Sequence, residues 1–135
     1  MKILPSLLFF LALAGCAPVS PSPRSEATAD APVRLSAERT SAGAIRLTLR
    51  NDSSDRVGYN LCTATLQKRS GAWTPVPSDE MCTMQLNTLE PGTSATFDKR
   101  LPPGLPPGEY RYVTSVENPL GSSMVEIASN VFTVG

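Results

Sequence analysis

The chain has 135 residues, 12 basic and 12 acidic side chains, three cysteines and no histidine. Balanced charge with no basic run or stripe argues against a nucleic-acid partner, and the absence of histidine removes histidine triads and histidine metal sites. Once the N-terminal segments are set aside, the length allows a single domain.

Residues 1–15 carry Lys2, an apolar run from Ile3 to Leu13, and the small residues Ala14 and Gly15. These are the three parts of a secretory signal peptide. A membrane-spanning helix needs about 20 apolar residues; this run is shorter and contains Pro5, so the segment is expected to be removed. The stretch Leu13-Ala14-Gly15-Cys16 resembles the lipobox of bacterial lipoproteins. That resemblance implies cleavage before Cys16, a diacylglycerol on its thiol and an acyl chain such as palmitate on the new amino group. Two or more acyl chains anchor a protein stably, so the implied partner is the membrane. In that family an aspartate after the cysteine favours inner-membrane retention; Ala17 stands there instead, which implies the outer membrane in a host with two. A plain signal peptide with an incidental Cys16 is the alternative.

Residues 16–31 combine Cys16 with a stretch rich in proline, serine and alanine and almost without bulky apolar residues. Such a composition buries too little surface to offset ordering entropy, and it reads as a disordered tether. Its ends would lie roughly 20 Å apart as coil and up to about 45 Å apart as polyproline helix.

With Cys16 assigned to lipid, Cys62 and Cys82 remain as an even pair in an oxidising compartment. A bridge between them would close a loop of about 21 residues and stabilise by roughly 3 kcal/mol. Two separate thiols are the alternative. Neither cysteine has a second cysteine near it, so no metal is expected.

From Pro32 onward short β-type runs alternate with turn residues, and no stretch has a helical period. Val33, Leu35 and Ala37 alternate with polar residues, as do Ile45, Leu47 and Leu49, with Thr40 to Gly43 as the turn between them. Asn51 to Arg56 reads as a polar loop without the spacing of a calcium site. Val57 to Lys68 reads as the longest β run, and a change of parity at Leu61 and Cys62 predicts a bulge or burial on both faces. Ser70-Gly71 turns the chain into Ala72 to Pro77, whose prolines predict a short edge strand. Trp73 is expected to cover one end of the core, with a ligand-stacking platform as the alternative. Ser78 to Glu80 is a loop, Met81 to Leu89 a strand, and Glu90-Pro91-Gly92 a type II turn. In Thr93 to Leu101 the expected inner residues are Ala95, Phe97 and Leu101. Asn118 to Gly121 turns the chain into a closing strand from Met124 to Val134, with Ile127, Phe132 and Val134 inward.

Leu105-Pro106-Pro107-Gly108-Glu109-Tyr110 precedes a β run and fits the Leu-x-Pro-Gly-x-Tyr form of a tyrosine corner. In immunoglobulin-like sandwiches such a tyrosine hydrogen-bonds the backbone a few residues upstream. Together with Asn51 to Ser54, Gly71-Ala72-Trp73, Leu89 to Gly92 and Ser129 to Val134, it makes residues 32–135 resemble the bacterial immunoglobulin-like domains of envelope lipoproteins. The resemblance implies an all-β, immunoglobulin-like β-sandwich of about seven strands, with Tyr110 as a structural residue. Unlike in antibody domains, Cys62 and Cys82 lie on neighbouring segments, so their bridge reads as a local staple.

Catalysis has little material. Bridged cysteines are not nucleophiles, and Asp79-Glu80 are neighbours in a loop rather than a paired-carboxylate site. No enzyme, no cofactor and no metal are expected. Three roles stand: a non-catalytic binding or scaffolding module for an envelope protein or glycan; a proteinase inhibitor presenting the loop from Thr74 to Glu80; and a passive structural protein of the envelope.

Overall fold

Alternation decides the first two strands. In Val33–Arg39 (β1) the odd residues Val33, Leu35 and Ala37 are buried, and in Ile45–Asn51 (β2) so are Ile45, Leu47, Leu49 and Asn51. Successive side chains of a strand point to opposite faces, so each strand offers one apolar stripe to the interior. Burying each Ile or Leu fully is worth about 1.5–3 kcal/mol.

The computed structural model describes residues 31–135 and Gly15. Cys16 and the segments read as signal peptide and tether, apart from Gly15 and Ala31, lie outside the described residues. The further strands are Val57–Tyr59 (β3), Thr65–Ser70 (β4), Ala72–Pro75 (β5), Asn87–Leu89 (β6), Ser94–Lys99 (β7), Gly108–Glu117 (β8), Met124–Ala128 (β9) and Phe132–Val134 (β10). A three-stranded sheet has the order β1-β2-β7, and a seven-stranded sheet is built around β8. β4 and β3 pair with β8, with β5 outside β4 and β6 outside β3; β9 and β10 also pair with β8, and every pairing is antiparallel. The two sheets form an all-β sandwich, the fold class expected from the sequence. The core lies between Leu47 and Leu49 on one side and Tyr110, Tyr112 and Val116 on the other. Phe132 closes it, its ring 6.4 Å from Tyr110 and 6.0 Å from Tyr112. Thr114 Oγ1 is buried without a hydrogen-bond partner among the described residues.

Three expected strands are interrupted, two of them by side chains that bond to backbone. The run from Val57 to Lys68 is split by a 3-10 turn at Leu61–Thr63. Asn60 Oδ1 accepts from the Cys62 amide at 3.2 Å, and Thr63 Oγ1 donates to the Asn60 carbonyl at 2.8 Å. Such local bonds compete with the ladder. Met81 to Leu89 is a strand only at Asn87–Leu89, and the chain from Val76 to Leu86 is irregular. The closing strand breaks after Ala128 because Ser129 and Asn130 bond elsewhere. Ser129 Oγ accepts from the Tyr112 amide, and the Asn130 side chain accepts from Ala37 N and donates to Ala37 O. That amide pairs with the outer edge of β1 as a strand would, and thereby seals one side of the sandwich.

The polar loop after β2 is organised from inside. Asn51 is fully buried, and its Nδ2 donates to the carbonyls of Asp55 and Leu89 while its Oδ1 accepts from Ser53. The Asn51 carbonyl accepts from Gly92, the residue whose φ of 76° supplies the left-handed position of the Glu90-Pro91-Gly92 turn. A side chain there would be strained.

Candidate functional site

The segment Val76–Leu86 leaves the end of β5, where Val76 N still donates to Leu66 O at 2.8 Å. Thr74 and Pro75 belong to β5, so the loop expected from Thr74 to Glu80 begins and ends later than the sequence indicated. Three bonds hold it. Cys62 and Cys82 form a disulfide with Cα atoms 5.7 Å apart. Asn60 Nδ2 donates to the Thr83 carbonyl at 2.7 Å. Glu80 pairs with Lys99, whose Nζ also donates to the Cys62 carbonyl at 2.7 Å.

Lys99 is the residue that strand parity assigns and sequence reading passed over. With β7 starting at Ser94, Ala95, Phe97 and Lys99 share the inner face. Lys99 is 5% exposed, with Nζ 5.9 Å from the Phe97 ring and 6.0 Å from the Tyr112 ring. A buried ammonium is tolerated only when paired, and here it has a carboxylate, a carbonyl and two aromatic rings. Burial pushes the neighbouring Tyr112 phenol up to about 12, with the Glu80 charge adding to the effect.

The same loop exposes what a fold ordinarily hides. Met81 is 94% exposed and Met84 92%, on either side of the bridged Cys82. Clefts flank it: one of about 420 Å³ between Pro77 to Glu80 and Asp98, Arg100, Pro102 and Pro103, another of about 320 Å³ bordered by Tyr59, Asn60, Gln85, Asn87 and Phe97. Nothing in this arrangement forms an acid/base pair. Glu80 is held by Lys99, the cysteines are oxidised, and among the described residues no group of three cysteine, aspartate or glutamate side chains is placed to hold a metal ion.

The remaining sequence-singled residues lie apart from this loop. Tyr110 is fully buried in β8, and its hydroxyl donates to the Pro106 carbonyl at 2.6 Å, four residues upstream. Trp73 does not cover the core. The register sets it opposite Arg69, whose own strand, β4, carries Leu66 inward and Arg69 outward, so the indole lies on the outer face of the larger sheet. There the guanidinium carbons of Arg69 and Arg111 stand 4.8 and 4.3 Å from its centroid. On the smaller sheet, Arg46 holds the Asp98 carboxyl below its ordinary range, and Arg50 and Arg34 do the same for Asp52.

A two-sheet sandwich with a buried tyrosine bonded four residues back defines an immunoglobulin-like domain. Residues 28–130 match the family model of the bacterial Ig-like domain, and the chain belongs to that family. No curated protein and no solved structure matches it. Domains of this kind are generally non-catalytic binding or structural modules. Among the described residues no helix is long and apolar enough to cross a membrane.

Proposed function

We propose that this chain is a lipid-anchored envelope lipoprotein whose Ig-like domain binds a partner protein through the Val76–Leu86 loop. The observation that carries the reading is the full exposure of Met81 and Met84 on a segment fixed by a disulfide, an ion pair and an asparagine bond. Exposed thioethers are adaptable apolar contacts, and methionine is enriched in protein interfaces. A loop ordered before binding loses less entropy when it docks. The anchor is Cys16, with the chain up to residue 31 as tether and the outer membrane as the location in a two-membrane host.

A photo-crosslinking residue at Met84, compared in intact cells with one at Ser36 on the exposed face of β1, tests the binding surface. Crosslinked product confined to Met84 is expected, and equal yields at both positions would reject the loop. Incorporation of labelled palmitate, lost in Cys16→Ser, and cleavage before Cys16 that globomycin blocks are the expected results for the anchor.

The braced loop also favours proteinase inhibition as a second reading, with the presented segment moved from Thr74 to Glu80 toward Glu80 to Met84. Protection of a substrate protein across a protease panel by the purified chain, lost in Met81→Asp, is the distinguishing result. Absence of inhibition at micromolar concentration removes this reading and leaves the first intact.

A further inference from the structure

The outer face of the larger sheet holds a second constellation. Gln67 lies opposite Arg111 and Arg69 opposite Trp73, which gathers these four side chains on one surface. Arg69 is neutralised by Glu109 at 2.9 Å. Among the described residues Arg111 makes no ion pair: its Nε donates to Gln67 Oε1 at 2.8 Å, and its two terminal amino groups have no partner there. The indole lies 4.3 Å from the Arg111 guanidinium carbon, so Trp73 serves to hold that fork rather than to offer a free stacking face. Partial burial lowers the pKa of Arg111, opposed by the charge of Glu126. A fork that is partly desolvated, unpaired and held in place is a receptor for a carboxylate or phosphate.

Beyond Gln67 the surface dips into a cleft of about 250 Å³, bordered by Thr63, Thr65, Gln67, Ser115 and Glu126 with Pro75 and Val113 beside them. Its hydroxyls, amide and carboxylate are the groups that pair with ring hydroxyls. A single unpaired cation and an indole already covered by guanidinium groups disfavour nucleic acid, which needs a row of cations and open aromatic faces.

We infer that this face binds an acidic sugar, a pyranose ring carrying a carboxylate or phosphate, with Arg111 on the anion and the Thr65–Gln67–Ser115–Glu126 cleft on the hydroxyls. Uronic-acid polymers and phosphorylated amino-sugars share that chemistry.

Trp73 is the sole tryptophan of the chain, so its intrinsic fluorescence reports on this face without a label. The full chain is titrated with oligogalacturonate, with its methyl ester and with glucosamine phosphate. A saturable emission change with either anionic probe and none with the neutral ester is expected, and the anionic probe that acts identifies the source. Arg111→Gln should weaken binding about tenfold or more, with an unchanged circular dichroism spectrum, and Arg100→Gln, on the other cleft, should leave it unaltered. The inference is overturned by silence of both anionic probes to millimolar concentration, by an equal response to the ester, or by indifference to Arg111→Gln. None of these outcomes bears on crosslinking at Met84, so the two readings stand or fall separately.

Discussion

Lys99 Nζ donates to the carbonyl oxygen of Cys62 at 2.7 Å, and this bond joins the edge of the smaller sheet to the base of the disulfide. Through the same ammonium group Glu80 is drawn in from the loop. One buried cation therefore ties three separate pieces of chain: β7, the turn after β3, and the segment that carries the exposed methionines.

Lys99→Ala should lower unfolding stability by about 2–3 kcal/mol, since both the stem packing and the pairing of the Cys62 carbonyl are lost. Lys99→Met keeps the stem volume and should cost less, about 1–2 kcal/mol, because the Cys62 carbonyl still loses its donor. Both should accelerate hydrogen exchange at the amides from Met81 to Met84. Unaltered exchange in Lys99→Met would show that the ion pair does not restrain the loop.

Tyr110→Phe removes the hydroxyl that donates to the Pro106 carbonyl at 2.6 Å. The expected loss is about 1 kcal/mol or more, because the ring remains buried while the carbonyl loses its donor. A urea denaturation midpoint equal to that of the parent chain rejects a stabilising role for the corner.

Thr114→Val should raise stability by about 1 kcal/mol. The Thr114 hydroxyl is buried without a partner among the described residues, and valine has the same shape without the desolvation cost. A lower denaturation midpoint in the valine variant would mean that the hydroxyl is satisfied in solution.

The Tyr112 phenol is raised to about 12 from 10.0 by burial. The folded chain then keeps a proton that the unfolded chain releases, so this contribution is fully present below pH 10 and is lost as pH rises toward 12. Denaturation midpoints of the parent should fall across that window more steeply than those of Tyr112→Phe. Parallel curves would show that another group controls alkaline unfolding.

The sequence by itself determined the elements whose information is local. Val33 to Ala37 and Ile45 to Leu49 alternate strictly, Glu90-Pro91-Gly92 has the residues its turn requires, and Tyr110 follows its Pro-Gly at the spacing of the corner. Cys62 and Cys82 were legible as a pair once Cys16 was set aside, because counting alone suffices for that step.

The tertiary structure decided what depends on partners far along the chain. Asn130 ends a strand by bonding Ala37, 93 residues away, and no local pattern records that exchange. Trp73 was a core residue by composition and lies outside by register, because its facing is set by the strand it pairs with rather than by its hydrophobicity. Lys99 shares the parity of Ala95 and Phe97, yet a charged residue has no place in a core by composition. Only the meeting of the two sheets, which brings Glu80 and the Cys62 carbonyl to its ammonium group, makes its burial affordable and fixes the loop beside it.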